Sequence, residues 1–169
     1  VAMVGPENEP TAYKPCVGGV VGYVCAAGEV MPVVAENENL GSLDWDDTSK
    51  SAQVIPYIGG VAGYVSIPNS VSLCANFGEI SSKKYASGIV GELYDGVVEK
   101  SFNKGNIAGN TSAGIAAILK SNSKVLNCYN NGNITADETA ASVAINNTGT
   151  VSYCYNSGTV DGKNIYDVS

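Results

Sequence analysis

The sequence predicts an all-β protein, specifically a right-handed parallel β-helix of about five coils with a repeat of about 27 residues. Two motifs recur with the same period along the 169-residue chain, and they consist of Val, Ile, Gly, Asn and Ser, which favour strands and turns. The apolar periodicity of helical repeats is absent. A parallel β-helix stacks the short strands of successive coils about 4.8 Å apart, and right-handed crossovers predominate between parallel strands.

The first motif follows the template V-x-x-C/S-x-N-x-G-x-I/V. It occurs at residues 71–80, 98–107, 125–134 and 151–160, with a weaker fifth copy at 34–43. The glycines of the four full copies lie 27, 27 and 26 residues apart, at Gly78, Gly105, Gly132 and Gly158. We expect each glycine to adopt a positive φ at a bend. We expect the asparagines to hydrogen-bond from coil to coil as a structural ladder, which comprises Asn39, Asn76, Asn103, Asn130 and Asn156.

The second motif is a glycine-rich core that alternates with the first. Its copies read GVVGYV at residues 19–24, GVAGYV at 60–65, GIVGEL at 88–93 and GIAAIL at 114–119, with a degenerate copy from Ser142. The last three intervals between copies are 28, 26 and 28 residues. Because two independent motifs share one period, we interpret the period as a structural repeat, with one coil for each copy.

The cysteines divide into those on the repeat and those off it. Cys74, Cys128 and Cys154 share a motif position with Ser101, which predicts a column of small buried side chains. A Cys128–Cys154 disulfide is the alternative, although in-register parallel neighbours fit disulfide geometry badly. Cys16 and Cys25 lie off the repeat and could pair with each other. Since the chain has five cysteines, at least one thiol is free.

The composition excludes several classes of function. The chain has no His and no Arg, and its 16 acidic residues and 9 Lys give a net charge of −7. Without His, neither a Ser-His-Asp triad nor a histidine metal site can form, and an acidic chain without Arg is a poor binder of nucleic acids. No stretch approaches 18 apolar residues, so we expect no membrane span. We therefore predict no catalytic residue, no metal and no cofactor.

One coil carries an insertion at residues 44–57, because Gly41 and Gly60 are 19 residues apart where the equivalent glycines are separated by 10 and 9. The insertion places the only Trp, Trp45, beside Asp44, Asp46 and Asp47. Loops that leave a solenoid lie on its surface and can bind ligands. The insertion is therefore a candidate contact loop or weak Ca²⁺ site. The alternative is a solvated acidic turn with Trp45 packed against the coil.

Aromatic residues offer a second candidate surface. Tyr23, Tyr64 and Tyr94, together with Trp45, could bind a glycan if they cluster on the outside of the coils. Packing within the solenoid is the alternative role for the same rings.

The segments GGVAGYV, SGIVGELYDGVVEKSFNKGNI and AGIAAILKSNSKVLNCYNNGNI resemble the GLUG repeat. The resemblance covers residues 17–162, which leaves residues 1–16 as an N-terminal cap or linker and 163–169 as a C-terminal tail. GLUG repeats occur in extracellular bacterial proteins, including the IgA-specific metalloendopeptidases. In those peptidases the metal-binding HExxH motif belongs to a separate domain, and the present chain has no His.

The resemblance implies a non-catalytic extracellular module of a bacterial surface or secreted protein, which acts as an adhesin or binding surface or as a structural spacer. Its partner would be a host or bacterial surface protein or a glycan. A β-helix that binds or cleaves polysaccharide through the acidic insertion is the alternative, because some enzymes with this architecture use clustered acids.

Overall fold

The computed structural model describes residues 15–25, 31–45, 55–66, 70–120, 122–146 and 148–167, and every regular element in these ranges is a β-strand. In chain order the strands are β1 (Cys16–Gly18), β2 (Val21–Val24), β3 (Val34–Ala35), β4 (Glu38–Asn39), β5 (Leu43–Trp45), β6 (Tyr57–Gly59), β7 (Ala62–Ser66), β8 (Ser70–Ser72), β9 (Ala75–Asn76), β10 (Ile80–Ser87), β11 (Val90–Tyr94), β12 (Val97–Glu99), β13 (Phe102–Asn103), β14 (Ile107–Ala113), β15 (Ala116–Leu119), β16 (Lys124–Leu126), β17 (Tyr129–Asn130), β18 (Ile134–Ala141), β19 (Ala144–Asn146), β20 (Thr150–Ser152), β21 (Tyr155–Asn156), β22 (Val160–Asp161) and β23 (Asn164–Tyr166).

Three parallel sheets, each five strands deep, enclose the main core. Their strand orders are β2-β7-β11-β15-β19 for the first wall, β3-β8-β12-β16-β20 for the second and β4-β9-β13-β17-β21 for the third. Valines at the first position of the first motif lie in register in the second wall, and their side chains face the core. The prediction of an all-β solenoid with stacked parallel strands and a repeat of about 27 residues is therefore confirmed.

The fourth sheet has eight strands, and we call it the fin. The register of its central strands β10, β14 and β18 shifts near the middle, and residues from both halves pack in a small second core. β5 and β22 pair with the first halves, whereas β6 and β23 pair with the second halves and β1 pairs with β6. The described ends of the insertion therefore lie in strands that pair with different halves of β10.

The glycines of the first motif serve close packing, and the prediction of a positive φ at these positions is wrong. None of them has φ in the left-handed region. Instead, a Cβ built on Gly105 would collide with the Gly78 carbonyl oxygen of the preceding coil. The same collision recurs at the other glycines of the full copies, so a side chain at this column would force neighbouring coils apart.

The positive φ lies at the third position of the motif, where the chain turns from the second wall to the third. All five residues there have φ between 49° and 58°, although none is a glycine: Glu36, Leu73, Lys100, Asn127 and Tyr153. Such a conformation is uncommon outside Gly and Asn. The coils impose it through regular backbone bonds, such as the one that the Lys100 N–H donates to the Leu126 carbonyl oxygen at 3.1 Å.

None of the five cysteines forms a disulfide. Cys74 and Cys128 are buried in the main core, in line with the predicted column of small side chains, and Cys154 is partly buried at its end. Cys16 and Cys25 do not form a disulfide with each other. Among the described residues there is no helix that is long and apolar enough to cross a membrane.

Candidate functional site

The predicted contact loop begins inside a regular strand. β5 pairs in parallel with the first half of β10, so that Asp44 lies opposite Ser81 and Trp45 opposite Ser82. Asp44 is exposed, whereas Trp45 is partly buried and packs against the core of the fin. Because successive side chains of a strand point to opposite faces, Asp44 and Trp45 do not form one surface.

The rest of the predicted acidic group, Asp46 and Asp47, lies outside the described residues. Within the part of the chain that the structure describes, no three His, Cys, Asp or Glu residues are placed to hold a metal ion together. The buried indole Nε1 of Trp45 has no hydrogen-bond partner among the described residues. Trp45 thus fills the fin in the manner of an apolar side chain.

The predicted asparagine ladder runs through all five levels of the solenoid. Each side-chain amide Nδ2 donates to the Oδ1 of the next asparagine along the chain at 2.7 Å, from Asn39 through to Asn156. Each Nδ2 also donates, at 2.7–2.8 Å, to the carbonyl oxygen of the glycine two residues on. Asn76, Asn103 and Asn130 are fully buried. The ladder therefore has a fixed polarity, with its donors directed towards the C-terminal end.

Tyrosines of the fin and of the first wall form a cluster, which we call the tyrosine crease. Two pairs of rings are stacked within it: Tyr23 on Tyr64, with centroids 4.9 Å apart, and Tyr57 on Tyr85, with centroids 5.1 Å apart. Glu92 of β11 lies next to Tyr64 in register. The crease comprises Cys16, Tyr23, Tyr57, Tyr64, Tyr85 and Glu92.

Glu92 and Tyr57 form the buried centre of the crease, with 4% and 5% of their surfaces exposed. The Tyr57 hydroxyl donates a hydrogen bond to the Glu92 carboxylate. Burial, followed by the nearby Glu92 charge, raises the pKa of Tyr57 well above its ordinary value of 10. The hydroxyl therefore stays protonated and ties the fin to the first wall, and neither group is open to a large ligand.

The sequence reasoning identified only the outer part of this crease. Tyr23 and Tyr64 are brought together as the glycan hypothesis required, but Trp45 lies inside the fin and does not join them. Tyr57, Tyr85 and Glu92 were missed. For Glu92 a signal existed, because the copy GIVGEL has an acid where GVVGYV and GVAGYV have tyrosine.

A second row of rings runs along the outside of the third wall. Phe102, Tyr129 and Tyr155 stack nearly parallel, with centroids 4.9 and 5.1 Å apart. Phe77 meets Phe102 edge to face at 5.6 Å, and the Lys104 ammonium lies 5.5 and 5.4 Å from the two ring centroids. Because stacked rings cover one another's faces, this row presents mainly ring edges to solvent.

The thiols of Cys128 and Cys154 interact at the C-terminal end of the cysteine column. The Cys128 thiol donates to the Leu126 carbonyl oxygen at 3.2 Å. Hydrogen bonding between the two thiols lowers the pKa of Cys154 to about 7, whereas the same interaction and burial raise the pKa of Cys128. The backbone N–H of Cys128 also points to the Cys154 sulfur at 3.5 Å. Cys154 is thus the more acidic and the more exposed of the two thiols.

Comparison with known proteins adds no relative to this description. No family model matches the chain, and neither a curated protein nor a solved structure matches it.

Proposed function

We propose that the chain is a non-catalytic extracellular repeat module of a bacterial surface or secreted protein, which acts as an adhesin or binding surface or as a structural spacer. The observation that carries the proposal is the continuous asparagine ladder, which joins all five levels of the solenoid through buried side chains. A repeat solenoid held together in this way is a stiff rod with long outer faces. The resemblance of its motifs to the GLUG repeat supports an extracellular bacterial setting.

The placement of Asp44 and Trp45 also favours a non-catalytic role over polysaccharide cleavage. Cleavage at a pair of carboxylates needs both groups beside one sugar bond. Asp44 stands on an exposed strand face and Trp45 packs away from it. The described part of the insertion therefore supplies one carboxylate, and Trp45 does not stand beside it.

Glycan binding without cleavage is the second candidate, and the Tyr23–Tyr64 pair favours it. Tyr23 is half exposed, at 51%, and belongs to the first strand of the first wall. Among the described residues, the Tyr23 ring stacks on one neighbour, Tyr64. A ring face left free in this way can pack against the C–H groups of a pyranose ring.

The experiment is a panel of purified polysaccharides incubated with the full chain, with product release followed by reducing-end and unsaturated-uronide assays and with retention followed on a glycan array. We expect no product from any substrate. Turnover of any polysaccharide that is lost in Asp44→Asn or Asp46→Ala would overturn the non-catalytic proposal.

Matched variants test the glycan candidate on the same array. Tyr23→Ala removes the half-exposed ring of the crease, and Tyr153→Ala removes an exposed tyrosine from a different face of the solenoid. We expect any glycan signal to fall with the first variant and to stay with the second. No retention on the array, or an equal loss in both variants, rejects glycan binding at the crease.

A further inference from the structure

The last coil of the solenoid, residues 151–160, has a neighbouring coil on one side only among the described residues. No described strand lies beyond β20 and β21 in their sheets. Side chains that are fully buried in the inner coils are only partly buried here: Val151, Cys154, Asn156 and Val160. Tyr155 is 56% exposed, and its stacked neighbour, Tyr129, covers one face only.

The backbone bonds of the preceding coil show which groups are presented at this edge. The Cys128 and Asn130 carbonyl oxygens accept bonds from the Tyr155 and Ser157 N–H groups at 3.2 and 2.9 Å. In the last coil the equivalent acceptors are the carbonyl groups of Cys154 and Asn156, and no described strand follows them. The edge therefore offers two acceptors at fixed positions.

Donors alternate with these acceptors. The Asn127 and Ile134 N–H groups donate to the Ser152 and Thr159 carbonyl oxygens at 3.1 and 2.9 Å. The equivalent donors at the edge are the N–H groups of Tyr153 and Val160. A strand in the same direction and register would pair with all four groups, because it would repeat the bonds of the coil below.

Two side-chain features restrict the sequence of such a strand. The Asn156 Nδ2 donates to the Gly158 carbonyl oxygen, and its second hydrogen corresponds to the one that Asn130 donates to Asn156 at 2.7 Å. An asparagine Oδ1 in the next coil would accept it. In addition, a Cβ on Gly158 would collide with the Gly132 carbonyl oxygen. By the same spacing, only glycine fits opposite the Gly158 carbonyl.

We propose that the C-terminal edge formed by residues 151–160 is a docking site for a further coil of the same motif, in parallel register, with Asn followed two residues later by Gly. The ligand is thus a polypeptide segment of the form V-x-x-C/S-x-N-x-G-x-I/V. It adds a sixth level to the walls and extends the asparagine ladder by one bond. This inference does not depend on what the outer faces of the module bind.

The probe is a peptide with the sequence of residues 98–107, VEKSFNKGNI, which carries the motif and has no cysteine. Binding to the full chain is measured by NMR titration, with hydrogen exchange at the edge as a second readout. We expect submillimolar binding, with the Tyr153 and Val160 amides protected. In the peptide, Asn103→Ala removes the ladder side chain, and Asn106→Ala removes an exposed asparagine of the same peptide. The Asn103→Ala peptide loses a buried hydrogen bond and should bind about tenfold more weakly. The Asn106→Ala peptide should bind less than about threefold more weakly.

Variants of the protein locate the site. Asn156→Asp keeps the Oδ1 that accepts from Asn130 but replaces the donor that faces the edge, and it should weaken peptide binding about tenfold. Ser157→Asp makes the same change of charge on an exposed neighbour and should have little effect.

Three results would overturn the proposal. The first is no binding at millimolar peptide. The second is equal affinity of the three peptides, which would show that the ladder and its asparagine are not recognised. The third is protection of the Glu38 and Leu40 amides in place of Tyr153 and Val160, which would place the peptide at the opposite end of the solenoid.

Discussion

The coils at residues 98–107 and 151–160 carry the same motif but differ in their neighbours. In the inner coil, Val98 and Asn103 are fully buried, because a coil lies on each side. In the last coil, Val151 and Asn156 keep part of their surface exposed, since only one neighbour covers them. The motif therefore gives each coil surfaces that match its neighbours, and these surfaces stabilise the fold only where stacking buries them.

The asparagine ladder should give the largest contrast between the two coils. Asn103→Ala removes three buried hydrogen bonds, so the Asn76 Nδ2 loses its ladder acceptor and the Asn130 Oδ1 loses its ladder donor. We expect it to lower the free energy of unfolding by about 4 kcal/mol, and Asn156→Ala to lower it by about 1 kcal/mol. Urea denaturation followed by circular dichroism measures both, and equal losses would contradict the comparison.

The glycine column should give the next contrast, here between an inner coil and the first one. Gly105→Ala places a Cβ against the Gly78 carbonyl oxygen, so the coils must separate, and we expect a loss of about 3 kcal/mol. At Gly41 a Cβ would meet nothing closer than the Asn39 Oδ1, at 3.9 Å. Gly41→Ala should therefore change stability by less than about 1 kcal/mol, with a small gain possible from the stiffer unfolded chain. A comparable loss in both variants, measured by the same denaturation, would mean that the column does not set the coil spacing.

The sequence was sufficient for the stacked architecture because each column is a repeated choice of residue. The period puts the valines and the asparagines of the first motif in register, and the strand pairing agrees with it. Repetition also misled in one respect, since Gly at a fixed position indicated a turn. The glycine instead lets its coil approach the glycine carbonyl oxygen of the preceding coil. The positive φ falls on other residues, such as Leu73 and Lys100.

The candidate sites were harder to predict, because they depend on contacts between different parts of a coil. The pairing of Tyr57 with Glu92 joins the fin to the first wall, and the first motif ends at Ile80, where the fin strand β10 begins. For the same reason, the sequence predicts Trp45 in a loop with its acidic neighbours. In the structure Trp45 lies in β5 opposite Ser82, and its side chain packs against the core of the fin.

The valine column should give a smaller contrast than the asparagines or glycines. Val98→Ala removes two methyl groups from a fully buried site in the middle of the second wall, for which we expect a loss of about 2 kcal/mol. Val151→Ala removes the same groups at a partly open site, for which about 1 kcal/mol is expected. Thermal unfolding of the two variants side by side tests this, and a larger loss at Val151 would show that the last coil is not the less covered one.

The thiols of Cys128 and Cys154 should show the contrast in their ionisation. Hydrogen bonding between them lowers the pKa of Cys154 to about 7, while the same interaction and burial raise that of Cys128. The contribution of Cys154 to stability is therefore present above its unfolded pKa and is lost as pH falls through about 7. The contribution of Cys128 has the opposite sign, since it is present below the unfolded pKa and is lost as pH rises above it. Stability should therefore rise with pH from about 7 to the unfolded thiol pKa and fall beyond it.

Alkylation distinguishes the two thiols directly. With iodoacetamide and mass spectrometry, modification of Cys154 should rise with a midpoint near pH 7, while the buried Cys128 stays unmodified. Cys128→Ala removes the thiol that interacts with Cys154, so the midpoint of Cys154 alkylation should move up towards the ordinary thiol pKa of about 8.5. Cys74→Ala is the matched control, because it deletes a buried thiol of the same column that does not contact Cys154. A midpoint that stays near 7 in Cys128→Ala would show that the exposed position of Cys154 in the last coil, rather than its neighbour in the coil below, sets its acidity.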